Sequence, residues 1–171
     1  TAPFFAEPEV RQALMYALDR QALIDRVLDG KGIVAHSPML PSSWAYTPTL
    51  SLYEYDPYNA MDLLEQAGWQ ATGITDPPGV DETSIFTSTI SARYKEGRTL
   101  SFSLLVPDDP TRLAVAQEIA RQWGLIGIRA NVEAVATGLL SERLRPRNYQ
   151  AALVGLDLTL VGDPDPYTFW H

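Results

Sequence analysis

No cysteine occurs in the 171 residues, which excludes a disulfide framework, a thiolate nucleophile and any Cys-ligated metal. The redox compartment is left open. Histidine is nearly as scarce, and His36 and His171 lie too far apart in sequence to define a metal site, so each reads as a polar surface or loop residue. Gly-x-Ser-x-Gly, the P-loop, Gly-x-Gly-x-x-Gly and His-Glu-x-x-His are all missing, which removes the usual signatures of hydrolases, nucleotide binders and zinc peptidases. No catalytic residue, cofactor or metal is expected. Basic residues are outnumbered 13 to 21 by acidic ones, for a net charge of −8 without any basic run, and this argues against nucleic acid as a partner. No apolar run approaches the roughly 18 residues of a membrane span, and Thr1-Ala2-Pro3-Phe4-Phe5 has no charged segment followed by an apolar one. The chain starts without Met and stops at Trp170-His171, so it is expected to be an excised piece of a longer polypeptide.

What is present is the balance of a folded domain: 46% hydrophobic and 20% charged residues, in a chain long enough to bury about 70% of its unfolded surface. Val10, Leu14, Ala17 and Leu18, then Leu23, Ile24, Val27 and Leu28 recur at helical spacing. Two helices fit this stretch, with Pro8 in the first turn, Asp19 capping the second, and Gly30 or Gly32 ending it. Residues 33–55 hold Pro38, Pro41 and Pro48 together with Trp44, Tyr46, Tyr53 and Tyr55. That composition predicts a long ordered aromatic loop. Its rings either cover the core or face a ligand, and in the second case Trp44 and Tyr46 are the candidates. Asp56 and Pro57 then open a helix with the stripe Ala60, Leu63, Leu64 and Ala67, closed by Gly68.

Residues 70–88 read as loop, with a turn at Asp76-Pro77-Pro78-Gly79. A hairpin is expected between 90–94 and 99–106 through Lys95-Glu96-Gly97-Arg98. The last third alternates strand and helix signals. Leu100, Phe102, Leu104 and Val106 have period two, and Asp109-Pro110 opens a helix expected to end at Gly124. Ile128 to Ala134 alternates again, Thr137 is placed to cap a short helix reaching Leu144, and 151–156 is continuously apolar. The pattern is a parallel βαβαβ unit flanked by helices, hence an α/β fold with right-handed crossovers.

With strand order 2-1-3, ligand binds beyond the carboxyl ends of the strands, where successive crossovers leave to opposite sides. Pro107, Asp108 and Asp109 then face Asp157, Leu158 and Thr159. The helix beginning at Pro110 points free N–H groups at the same crevice, unless Asp109 caps them itself. Two further carboxylates, Asp163 and Asp165, each precede a proline, which favours turns and capping over an acid and base pair.

Four segments together, Pro8-Glu9-Val10-Arg11-Gln12-Ala13-Leu14-Met15-Tyr16-Ala17-Leu18-Asp19-Arg20, Tyr55-Asp56-Pro57 through Ala67-Gly68-Trp69, Ala151-Ala152-Leu153-Val154-Gly155 and the Asp-Pro-Asp-Pro tail, resemble the family 5 extracellular solute-binding proteins of ABC importers. The resemblance spans all but residues 70–98. It implies a periplasmic-binding-protein type II-like fold in which two lobes close on ligand, with 1–171 as a single α/β lobe, the C-terminal one. The implied partners are a second lobe, ABC permease subunits and a small polar solute, a peptide first and an oligosaccharide next. The implied location is periplasmic or extracellular, with or without a lipid anchor. Family members that grip a peptide amine place Trp and Asp where this chain has Leu156 and Leu160. Ligand contacts are accordingly assigned to Trp44, Tyr46, Asp108, Asp157, Leu158 and Thr159. The alternative is a ligand-sensing or interaction module that uses the same fold without transport.

Overall fold

The computed structural model describes residues 2–37, 39, 44, 46, 47, 49, 52–75 and 89–155. The expected turn at 76–79, Asp157, Leu158, Thr159 and the Asp-Pro-Asp-Pro tail lie outside the described residues. After a 3₁₀ turn over Pro3–Ala6 come α1 (Pro8–Tyr16) and α2 (Arg20–Val27). The break between them follows from Asp19, whose carboxylate accepts from the Ala22 amide at 2.8 Å and restarts the helix. Helix α2 is left through Asp29 and Gly30, both at positive φ. Helix α3 (Pro57–Gln66) begins with Pro57 in its first turn and Asp56 capping Asn59 at 3.0 Å. Gly68, at φ 86°, turns the chain out of it.

An antiparallel sheet follows: β1 (Gln70–Thr75), β2 (Thr89–Lys95) and β3 (Arg98–Thr99), in that order. Two expectations are corrected here. Residues 70–75 form a strand, with Gln70 opposite Tyr94 and Thr75 opposite Thr89, where a loop was expected. The hairpin is also shorter than predicted, because only Arg98 and Thr99 pair with β2, through the two-residue turn Glu96-Gly97. The reason is Leu100. Its amide donates to Arg93 O at 2.9 Å while its carbonyl accepts from Arg129 N at 3.0 Å, so the chain changes sheets at this fully buried residue.

The second sheet is parallel and consists of β4 (Ser101–Pro107), β5 (Arg129–Val135) and β6 (Ala151–Ala152), with β4 in the middle. Register runs from Ser101↔Arg129 to Pro107↔Val135 on one side, and through Leu104↔Ala151 and Leu105↔Ala152 on the other. Helices α4 (Pro110–Leu125) and α5 (Thr137–Leu144) make the crossovers. Helix α4 continues past Gly124, and the left-handed residue that turns the chain is Gly127, at φ 85°. Thr137 is the first residue of α5 rather than its cap. Ala136 holds the cap position without a side-chain bond.

Phe102, Leu104 and Val106 share one face of β4. Against that face lie Phe5, with ring centroids 5.0 Å from Phe102, and Trp123 of α4, at 5.6 Å. Trp123 Nε1 donates to Leu14 O at 2.9 Å, which ties α4 to α1. Arg93, fully buried, joins the antiparallel sheet to its surroundings by donating to Ile126 O at 2.8 Å and Trp69 O at 2.9 Å, with Glu65 at 3.5 Å. Burial lowers its pKa from the ordinary value, and Glu65 opposes that shift.

Candidate ligand-binding crevice

The carboxyl ends of β4, β5 and β6 open on one edge of the parallel sheet. Pro107 ends β4 opposite Val135, and the next amide, Asp108 N, still donates to Val135 O at 2.8 Å. Asp108 therefore leaves the sheet at a fixed point, with an exposed carboxylate that has no partner among the described residues. Asp109 turns back to accept from Arg112 N at 2.9 Å and Arg112 Nη1 at 2.5 Å. These bonds hold its carboxyl below the usual carboxylate range, the backbone bond from Arg112 being the largest cause. The first turn of α4 is thus satisfied internally, and the capping reading of Asp109 holds.

Arg112 also meets the exit of β6. A Cβ built on Gly155 would lie 3.3 Å from Arg112 Nη2, so the backbone two residues before Asp157 runs against the guanidinium. At this edge Asp109 is paired with Arg112, and Asp108 is exposed with no partner among the described residues. This arrangement can accept a hydrogen-bond donor or a cation beside backbone groups. Among the described residues no group of three or more His, Asp or Glu could hold a metal ion.

Trp44 is 88% exposed and Tyr46 is partly buried. Among the described residues no hydrogen bond or ring contact joins either to Asp108. The loop that carries them is closed at its base by Arg20, which donates to Ala35 O at 3.0 Å and to Tyr53 O at 2.9 Å. That base lies beside the later turns of α4, because Asp19 N donates to Gln122 Oε1 at 2.7 Å. Ten residues of helix, about 15 Å, separate Gln122 from Arg112. Sequence reasoning missed Arg20 and Arg112. For Arg112 a signal existed, an Arg three residues after an N-cap Asp on a Pro-initiated helix. Arg20 has none, because its partners are 15 and 33 positions away.

This mixed α/β arrangement with a parallel βαβαβ sheet is the fold class of the solute-binding proteins. More particularly, the chain matches the bacterial extracellular solute-binding proteins, family 5 Middle, over residues 1–171, and it belongs to that family. The oligopeptide-binding protein AppA of Bacillus subtilis (strain 168) is 31% identical over 173 residues, which is 98% of this chain and 28% of the relative. Di/tripeptide-binding protein 1 of Pseudomonas aeruginosa (strain UCBPP-PA14) is 30% identical over 94% of this chain and 26% of its own length. Among solved structures, AppA in complex with a nonapeptide superposes with a TM-score of 0.77 at 30% identity, covering 96% of this chain and 30% of that one. NikZ from Campylobacter jejuni in complex with Ni(L-His) gives 0.74 at 28% identity, covering 98% and 29%. The chain therefore spans less than a third of the length of these relatives. Its family consists of binding proteins, and no helix among the described residues is long and apolar enough to cross a membrane.

Proposed function

We propose that this chain is one lobe, the C-terminal one, of a two-lobe receptor that captures a small polar solute for an ABC importer, outside the cytoplasmic membrane. The observation that carries the reading is the family match over the whole chain. The exposed carboxyl edge of the parallel sheet, where ligands bind in open α/β sheets, supports that reading. A peptide is the favoured solute, supported by the relatives named for oligopeptide and di/tripeptide binding. In this reading Asp108 and Asp157 offer carboxylates to donor groups of the ligand, Leu158 and Thr159 offer backbone and hydroxyl contacts, and Trp44 and Tyr46 stack on it. Closure of the second lobe excludes water and strengthens each hydrogen bond. The closed pair then presents its surface to the permease.

Native mass spectrometry of the full-length receptor, purified without denaturation, tests the substrate class directly: a co-purified peptide is the expected result, and a sugar or metal complex overturns it. For the site, Asp157→Ala in the same receptor is expected to weaken peptide retention at least tenfold. Unchanged retention removes Asp157 from the contact set.

A further inference from the structure

The two ends of the antiparallel sheet are set in the apolar core, and its body is not. Trp69 leads into β1 and Leu100 follows β3, and both belong to the buried hydrophobic cluster. Between them, no described side chain of β1, β2 or β3 joins that cluster. Ala92, with a single methyl, is the one buried apolar side chain described in these strands. Cationic donors hold the sheet in place. Arg93 on β2 donates to Ile126 O through Nε at 2.8 Å and to Trp69 O through Nη1 at 2.9 Å, while its amide donates to Gly127 O at 3.1 Å. Lys95 donates to Glu7 Oε2 at 2.9 Å. From β5, Arg129 donates to Ser91 O through Nε at 3.1 Å and also through Nη2.

Attachment of this kind is more easily exchanged for water than an apolar contact. Hydrophobic stabilisation scales with the area removed from water, and lifting the sheet exposes little described apolar surface. The guanidinium and carbonyls it releases find solvent partners instead. Burial also works against Arg93 itself. Its side chain is fully buried, yet Nη2 meets no acceptor among the described residues, and a buried donor that the protein leaves unserved is costly. Glu65, the acid paired with it, lies 3.5 Å from Nη1 and is more than half exposed. Docking therefore depends on the fork of one guanidinium, which serves two carbonyls in fixed directions at once.

We propose that β1, β2 and β3 form a hinged flap, anchored at Trp69 and Leu100 and latched by Arg93, that undocks while the parallel sheet and its helices stay folded. Proteins open in cooperative units of unequal stability, and a unit with few buried apolar contacts opens first. The flap is a property of the fold and stands whatever the solute is. Once undocked, so small a ribbon is marginal by itself, so its cross-strand amides exchange together with that of Arg93.

The test is amide exchange of the full-length protein that carries this chain, read by fragmentation mass spectrometry in β2, with β4, β5 and α4 as references. Wild type is compared with Arg93→Lys, which keeps the charge and loses the fork, and with Lys95→Met. In wild type, β2 is expected to exchange at least tenfold faster than β4 and β5. Arg93→Lys should speed β2 a further tenfold or more and leave the references within twofold, and Lys95→Met should speed β2 about threefold. Protection of β2 equal to that of β4 in wild type overturns the flap, because the sheet then opens only with the whole domain. Equal acceleration of β2 and β4 in Arg93→Lys, or β2 within twofold of wild type, overturns the latch. An Arg93→Lys chain that does not fold also overturns the latch, since the parallel sheet should survive its loss. In that case Lys95→Met decides the flap: acceleration confined to β2 supports it, and uniform acceleration or none overturns it.

Discussion

Glu118 has more hydrogen bonds than any other carboxylate among the described residues. It receives Arg121 at both oxygens, each at 2.7 Å, and Gln122 Nε2 at 2.9 Å, with Arg26 at 3.5 Å. Only 12% of its side chain is exposed. The Arg121 hydrogen bond is the largest cause holding its carboxyl at about 2 against an ordinary 4.5. Since the folded value is the lower one, the stabilisation is complete above the unfolded value and fades as pH falls toward the folded one. Both arginines remain in contact with water, which screens the pairs and limits the contribution to about 1 kcal/mol. Glu118→Gln should therefore lower the urea midpoint at pH 7, and the gap from wild type should narrow below pH 4.5 and close near pH 2. A gap that persists undiminished at pH 2 would show that packing, not charge, is what the carboxylate supplies.

At the scale of elements, the hairpin turn ties one sequence feature to one backbone requirement. Glu96 at φ 52° and Gly97 at φ 75° form the two-residue connection whose twist suits antiparallel strands, and both positions demand positive φ. No atom lies within 4 Å of a Cβ built on Gly97, so Gly97→Ala should cost about 1 kcal/mol through backbone conformation alone. Glu96→Asn should return a few tenths of a kcal/mol, because Asn tolerates the left-handed region. Thermal melts of both variants check the pair, and a neutral Gly97→Ala would mean that the turn relaxes into another type. The glycine was legible in the sequence, as were the caps Asp19, Asp56 and Asp109, because each acts on amides within three residues of itself. What was not legible depends on partners. Gln70–Thr75 carries no apolar alternation and becomes a strand only by pairing with β2. The period-two pattern opens at Leu100, yet periodicity cannot report that the chain exchanges one neighbouring strand for another there. Candidate residues followed the same rule. The place of Asp108, just past the end of a strand, was legible, whereas the bonds of Arg20 across 15 and 33 residues had no local mark.

For the molecule as a whole, the proposed two-lobe receptor raises the question of what this chain can do by itself. Its core is continuous: Phe4 from the N-terminal turn, Val10 and Leu14 from α1, Leu64 from α3, Phe102 from β4 and Ile119 from α4 belong to one buried cluster. Such a core supports independent folding, so the 171-residue chain should unfold in a single cooperative transition. Binding is another matter. Sites for small ligands enclose most of the ligand surface, while in the proposed reading this chain supplies only one wall of the site. An isolated wall leaves its hydrogen bonds in competition with water, and only the surplus after the costs of ordering appears as affinity. Calorimetry should therefore show a folded 171-residue chain with no measurable affinity for a peptide that the full-length receptor retains. Micromolar binding by the isolated chain would mean that it carries a complete site, and the proposed two-lobe reading would have to be abandoned.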